Sequence, residues 1–128
     1  MAKILIVEDD PLIMTLYEKI FVLEGFEVIL AANGEEGLEK AKSVMPTLIV
    51  LDVMMPKMNG FDLLMRLKKD PQIQNIPVVM LTNLAGTQDA QKALSEGAVK
   101  YLIKSEFTPK QVVNLVKEII AGYTRNKV

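Results

Sequence analysis

Five short runs of branched aliphatic residues, at 4–7, 28–31, 48–51, 78–81 and 99–103, alternate with longer stretches of helical spacing, and this alternation constrains the fold more than any other feature. The runs at 4–7, 48–51 and 78–81 are apolar at every position, so they offer no polar face to water and suit strands covered on both sides. Strands of that kind, each followed by a helix, imply a parallel sheet with right-handed crossovers and helices on both faces. The helical stretches carry their own punctuation. Asp10 is a suitable N-cap with Pro11 at the first helical position, Ile13, Leu16, Ile20 and Leu23 read as one inward face, and Gly25 reads as a stop. A second helix is expected over 34–44 with Leu38 and Ala41 inward, and a third over 60–69 with Leu63, Leu64 and Leu67. A fourth is expected over 87–95 with Gly97 beyond it, and a fifth from Pro109, capped by Thr108, to Gly122.

The 128 residues suit one domain, expected over 1–122, with 123–128 as a polar tail. Lys plus Arg is 15 and Asp plus Glu is 16, a net charge of −1 that argues against binding nucleic acid through bulk electrostatics. The chain has no cysteine and no histidine. Disulfides, thiol chemistry, most zinc sites and a phosphohistidine on this chain are thereby excluded. The N-terminus MAKILIVEDDPL lacks the pattern of a signal peptide, and no apolar stretch approaches the roughly 18 residues of a membrane span, so a cytoplasmic protein is expected.

In an open parallel sheet, ligands bind beyond the carboxyl ends of the strands, where the strand order reverses. Strand one ends in Glu8, Asp9 and Asp10, strand three in Asp52, strand four in Thr82 and Asn83, and strand five in Lys104 and Ser105. Each has an ordinary structural explanation. Asp10 belongs to the acidic start of a helix, Asp52 can open a turn before Pro56 and Gly60, Thr82 can cap a loop, and Lys104 can be a solvated lysine. Chance rarely assembles acids, a hydroxyl and an ammonium at four strand ends on one side of a sheet.

The combination points to phosphoryl transfer. Clustered carboxylates repel one another unless a cation joins them, and oxygen-only ligation favours Mg²⁺, with Mn²⁺ as a substitute. Asp9 and Asp52 fit as direct ligands, with Glu8 holding a coordinated water. A carboxylate can also be the nucleophile that gives an aspartyl phosphate, and Lys104 and Thr82 supply donors to the transferred group.

The segments ILIVEDD, LIVLDVMMPKMNGFDLL, VVMLTN and GAVKYLIK, which together cover nearly the whole chain, resemble the receiver domain of two-component response regulators. The resemblance implies a (βα)5 doubly wound, flavodoxin-like sheet of order 2-1-3-4-5. It implies that Asp52 accepts phosphate from a phosphohistidine on a sensor histidine kinase or histidine phosphotransfer protein. It implies metal ligation by Asp9, Asp52 and the Met54 carbonyl, with Glu8 acting through water, and phosphoryl contacts from Lys104 and Thr82. Thr82 would move toward the phosphate and Tyr101 would turn inward behind it. That movement would remodel the face formed by the fourth helix, fifth strand and fifth helix, which would meet a downstream protein or a second copy. A receiver of this kind signals and does not turn over an external substrate; nucleic-acid contact and membrane insertion are not implied.

The sequence departs from the family pattern after Lys104, where Ser105 stands in place of a proline. A cis bond before serine costs about 2.5–4 kcal/mol, so a trans bond and an altered loop over 105–107 are expected. Asn83 replaces a small residue, and Met54 and Leu84 put apolar side chains where the attacking water would be oriented; all three are read as tuning the lifetime of the phosphorylated form towards slow loss. Two other readings remain. An aspartyl-phosphate phosphohydrolase or phosphotransferase acting on a small substrate would show an acid at Met54, and a flavin carrier would not carry EDDP in its first loop. Val112, Val113, Leu115, Val116, Ile119 and Ile120 form a wide apolar stripe, expected to pack on the core with some surplus for a partner.

Overall fold

Main-chain pairing in the computed structural model, which describes residues 2–126, joins five parallel strands into one sheet. They are β1 (Lys3–Val7), β2 (Glu27–Ala31), β3 (Leu48–Leu51), β4 (Val78–Thr82) and β5 (Lys100–Ile103), in the order β2-β1-β3-β4-β5. The helices are α1 (Pro11–Leu23), α2 (Gly34–Val44), α3 (Gly60–Lys69), α4 (Thr87–Ser95) and α5 (Pro109–Asn126), with a single 3₁₀ turn over Lys104–Glu106. This is the doubly wound, flavodoxin-like arrangement, and its strand order reverses between β1 and β3.

The central strands β3 and β4 are buried throughout, as their unbroken apolar runs require, whereas the edge strands β2 and β5 keep partly open faces. The sheet separates two hydrophobic clusters. One gathers Leu5, Val7, Ile49, Leu51, Val78 and Met80 with Ala41 of α2, Leu63, Leu64 and Leu67 of α3, and Ala93 of α4. The other gathers Ile4, Ile6, Val50, Val79 and Leu81 with Tyr17 and Phe21 of α1 and Val112, Val113 and Val116 of α5. Leu115, Ile119 and Ile120 pack at the margin of this second cluster, so most of the α5 stripe is core.

Local signals place the helices. Asp10 Oδ1 accepts from the Leu12 and Ile13 amides at 2.9 and 3.4 Å, and Asn59 Oδ1 accepts from Asp62 at 3.0 Å. Thr108 and Gln111 cap α5 reciprocally: Thr108 Oγ1 accepts from the Gln111 amide at 3.2 Å, and Gln111 Oε1 accepts from the Thr108 amide at 2.8 Å. Gly25 adopts φ 92 after α1, the left-handed stop that the sequence suggested. At the far end of α1, Glu24 receives Lys110 and Lys117 of α5, the latter at 2.8 Å, which fastens the two helices of one layer together.

Two expectations are corrected. The inward face of α1 is Ile13, Tyr17, Ile20 and Phe21, whereas Leu16 and Leu23 are 46% and 84% exposed. The helix is apolar on nearly every side, so period alone admitted both phases, and the aromatic rings took the core because they bury more area. The last helix does not stop at Gly122 but continues to Asn126, so the start of the expected tail is helical. Gly122 lacks the positive φ that would make it a stop. Lys127 and Val128 of that tail lie outside the described residues.

Candidate functional site

Sheet register brings the polar residues together before any side chain is considered. Val7 is paired with Leu51 across β1 and β3, so Glu8 and Asp52 are the next residues out of the sheet on adjacent strands. The Asp52 amide donates to the Val7 carbonyl at 3.1 Å and the Glu8 amide to the Ala31 carbonyl at 3.0 Å, which extends the ladder to the point where chemistry begins. On the other side, Thr82 ends β4 opposite Ile103, and Lys104 follows. The site therefore lies at the carboxyl edge of the sheet beside the reversal in strand order, where such folds bind ligands.

The loop from Asp52 to α3 closes under the site. Lys57 turns through φ 67, and the Gly60 amide donates to the Val53 carbonyl at 2.8 Å. Gly60 packs so tightly that a Cβ on it would lie 2.3 Å from the Asp52 carbonyl oxygen and 2.6 Å from Val53 Cα. The close approach explains why glycine stands at this position.

One carboxylate oxygen from each of Glu8, Asp9 and Asp52 lies within 4.8 Å of the others. Glu8 and Asp52 are buried, while Asp9 is exposed at the rim. The Lys104 ammonium donates to Glu8 Oε1 at 2.5 Å and to Asp52 Oδ2 at 3.2 Å. Asp52 Oδ1 accepts from the Met54 amide at 3.1 Å, so both oxygens of the carboxylate are held. Glu8 Oε2 in turn accepts from the Asp9 amide at 3.0 Å.

Electrostatics follow from crowding. Burial pushes the Glu8 carboxyl up, to about 7; its bond to Lys104 opposes the rise and the adjacent Asp52 adds to it. Burial alone would lower the Lys104 ammonium, but its hydrogen bond to Glu8 and the Asp52 charge outweigh burial and raise it. Two buried acids with one cation between them, and a third acid open to solvent, form a donor set of oxygens alone. That set fits a hard divalent ion and offers nothing to a soft one.

The remaining predicted residues lie around this core. Thr82 is fully buried, and its Oγ1 accepts from the Leu84 amide at 3.2 Å, so the hydroxyl is engaged with its own loop. Tyr101 packs against the first cluster, and its hydroxyl donates to the Leu84 carbonyl at 2.7 Å. Asn83 is exposed, Leu84 is half-buried and Met54 is 57% exposed beside Asp52. The Lys104–Ser105 bond is trans, as expected with no proline there, and the segment winds into the 3₁₀ turn.

Sequence reasoning missed two features. Glu8, expected to act only through water on a metal, is also the nearest partner of Lys104. Tyr17 had no assigned role, yet it reaches the underside of the cluster; the alternative helical phase of α1 was the signal that would have found it.

An α/β sheet with acids and a lysine gathered at its switch point, and a hydroxyl ending the strand β4 on the same edge, defines a class of small regulatory domains in which the site, and not the fold, carries the activity. Residues 4–117 match the response regulator receiver domain, and the chain belongs to that family. It is 40% identical, over 81% of its length and 43% of the relative's, to a DNA-binding dual master transcriptional regulator of Synechocystis. It is 39% identical, over 92% of its length and 48% of the relative's, to the alkaline phosphatase synthesis transcriptional regulatory protein of Bacillus subtilis. The chain thus spans about half the length of the curated relatives it matches. A chemotaxis protein of Vibrio cholerae superposes with a TM-score of 0.86 at 31% identity, covering 92% of this chain and 98% of that one. A CheY-like receiver domain protein of Methanospirillum hungatei superposes with a TM-score of 0.91 at 29% identity, covering 98% of both.

Proposed function

We propose that this receiver domain, taken as residues 1–122, accepts a phosphoryl group on Asp52 from the phosphohistidine of a sensor histidine kinase or histidine phosphotransfer protein. The observation that carries the reading is the position of Lys104, 3.2 Å from Asp52 Oδ2 inside a cluster of three carboxylates. In the transfer, an Asp52 oxygen attacks phosphorus, the P–N bond to the donor imidazole breaks, and the ring nitrogen keeps the electron pair. Asp9, Asp52 and the Met54 carbonyl would hold Mg²⁺ or Mn²⁺, with Glu8 acting through a coordinated water. The ion would neutralise the acids and the incoming phosphoryl oxygens. Lys104 pivots from the carboxylates to the phosphoryl group, and Thr82 turns its hydroxyl from Leu84 toward it.

Release of Thr82 from the Leu84 amide couples the site to Tyr101, which is bonded to the carbonyl of that same residue. The α4, β5 and α5 face would carry the change to a downstream protein or a second copy of the chain. Met54, Asn83 and Leu84 would set how long the phosphoryl group survives. The chain would work as a signal carrier or relay in the cytoplasm, without turnover of an external substrate. Among the described residues no helix is long and apolar enough to cross a membrane. Incubation with Mg²⁺ and acetyl phosphate tests the reading: intact mass should rise by one phosphoryl group, and Asp52→Asn should abolish the gain. No uptake by the unmodified chain would overturn it.

A further inference from the structure

The inward face of α1 delivers a hydroxyl that none of the sequence motifs includes. Tyr17 is 6% exposed, and it lines a cavity below the acidic cluster together with Glu8, Asp52 and Lys104. Ile6, Val50 and Leu81 make the apolar walls. The cavity is about 10 Å³, close to the room that one water needs. Among the described residues the buried side-chain atom left without a partner is Glu96 Oε2, so the Tyr17 hydroxyl keeps surface that a water can reach. Among the described residues no protein group is hydrogen-bonded to it.

Lys104 supplies the complementary deficit. Its ammonium has three donors, and two are committed, to Glu8 Oε1 at 2.5 Å and Asp52 Oδ2 at 3.2 Å. The third has no protein acceptor among the described residues. Burial holds the Tyr17 phenol above its ordinary value, with the Lys104 ammonium opposing and Glu8 adding to the rise, so both charges act on the hydroxyl and it stays protonated.

We propose that Tyr17 is a positioning residue of this site: one water in the cavity joins its hydroxyl to the third donor of Lys104 and to Glu8, and so aims the ammonium at Asp52. The proposal rests on the phosphoacceptor reading. The water accepts from Lys104 and from the tyrosine O–H and donates to a Glu8 oxygen, which satisfies every group around it. A fixed third donor makes the ammonium pivot in place when a phosphoryl group arrives. Without it, the long side chain is free to follow Glu8 alone.

The test compares Tyr17→Phe, which keeps the ring and removes the hydroxyl, with Tyr17→Leu, which also removes packing. The readouts are the rate of phosphoryl uptake from acetyl phosphate with Mg²⁺, the ¹⁵N signal of the Lys104 ammonium, and the thermal midpoint. Tyr17→Phe should slow uptake about fivefold, the scale of one hydrogen bond, and should move the Lys104 signal while the midpoint holds. Tyr17→Leu should lose rate and midpoint together. An unchanged rate in Tyr17→Phe overturns the proposal, and so does a slower rate with an unmoved Lys104 signal. If the unmodified chain takes up no phosphoryl group, it is the phosphoacceptor reading that fails. The Lys104 signal alone then decides: a shift in Tyr17→Phe sustains the contact, and none overturns it.

Discussion

Lys104 stands closer to Glu8, at 2.5 Å, than to Asp52, at 3.2 Å. The pairing keeps a cation beside the reactive carboxylate without committing it there, because the stronger anchor is the neighbouring acid. It also explains how two buried carboxylates coexist at the end of adjacent strands. One ammonium offsets part of their repulsion, and the remaining negative charge is what a divalent ion would meet.

Lys104→Met should therefore expose the repulsion. Breaking a buried ion pair from one side costs about 3 kcal/mol, and urea unfolding without divalent metal should register a loss of that order. Mg²⁺ should restore part of it, since an ion that binds only the folded state raises stability by mass action. No recovery with millimolar Mg²⁺ would show that the acids do not hold the ion.

Gly60→Ala tests the floor of the site. The new methyl would sit 2.3 Å from the Asp52 carbonyl, against backbone that cannot rotate away. Overpacking of this kind costs about 1–3 kcal/mol, and the shift it forces should reach the Asp52 carboxylate. Both a lower unfolding midpoint and slower phosphoryl uptake are expected; a drop in stability with an unaltered uptake rate would separate the floor from the site.

Lifetime should respond to polarity at the rim. On the proposed reading, Met54→Asn or Leu84→Gln would offer a polar group able to hold a water attacking a phosphorylated Asp52, and correct orientation of such a water can be worth about tenfold or more. Loss of phosphate, followed by intact mass after removal of the donor, should quicken in either variant. Equal decay in the variants and the parent would remove these positions from the account.

The tie between α1 and α5 should show in acid. Lys110 and Lys117 hold the Glu24 carboxyl down from 4.5 to about 2. A lowered carboxyl contributes stability that is present above its unfolded value and is lost as pH falls through the folded one. The parent should thus lose stability between about 4.5 and about 2 by an increment that Glu24→Gln lacks. Parallel stability curves for the two proteins across that window would rule the contribution out, and added salt should shrink it because the group is at the surface.

Much of the architecture was legible in the chain. Helices over 34–44, 60–69 and 87–95 end shortly before Pro46, Pro71 and Gly97, since proline cannot continue a helix and glycine readily takes the left-handed turn that stops one. The phase of α1 was not legible, because a helix apolar on most sides admits several inward faces and only the packed sheet chooses among them. The approach of Glu8, Asp52 and Lys104 to one another followed from strand ends alone, whereas Thr82 ends β4 with its hydroxyl engaged by the Leu84 amide. The preference of Lys104 for Glu8 over Asp52, and the reach of Tyr17 under both, depend on rotamers and depth, which no spacing encodes.

The amide of Asp52 is a rung of the β1–β3 ladder, while its carboxylate stands free of the sheet. The residue is thus like a post set in concrete with a load hung on its tip. Weight added at the tip would not tilt the foundation, so on the proposed reading the response would fall to the loops beyond β4 and β5. A rigid mount of that kind keeps the site's zero point constant, and every displacement elsewhere is measured from it.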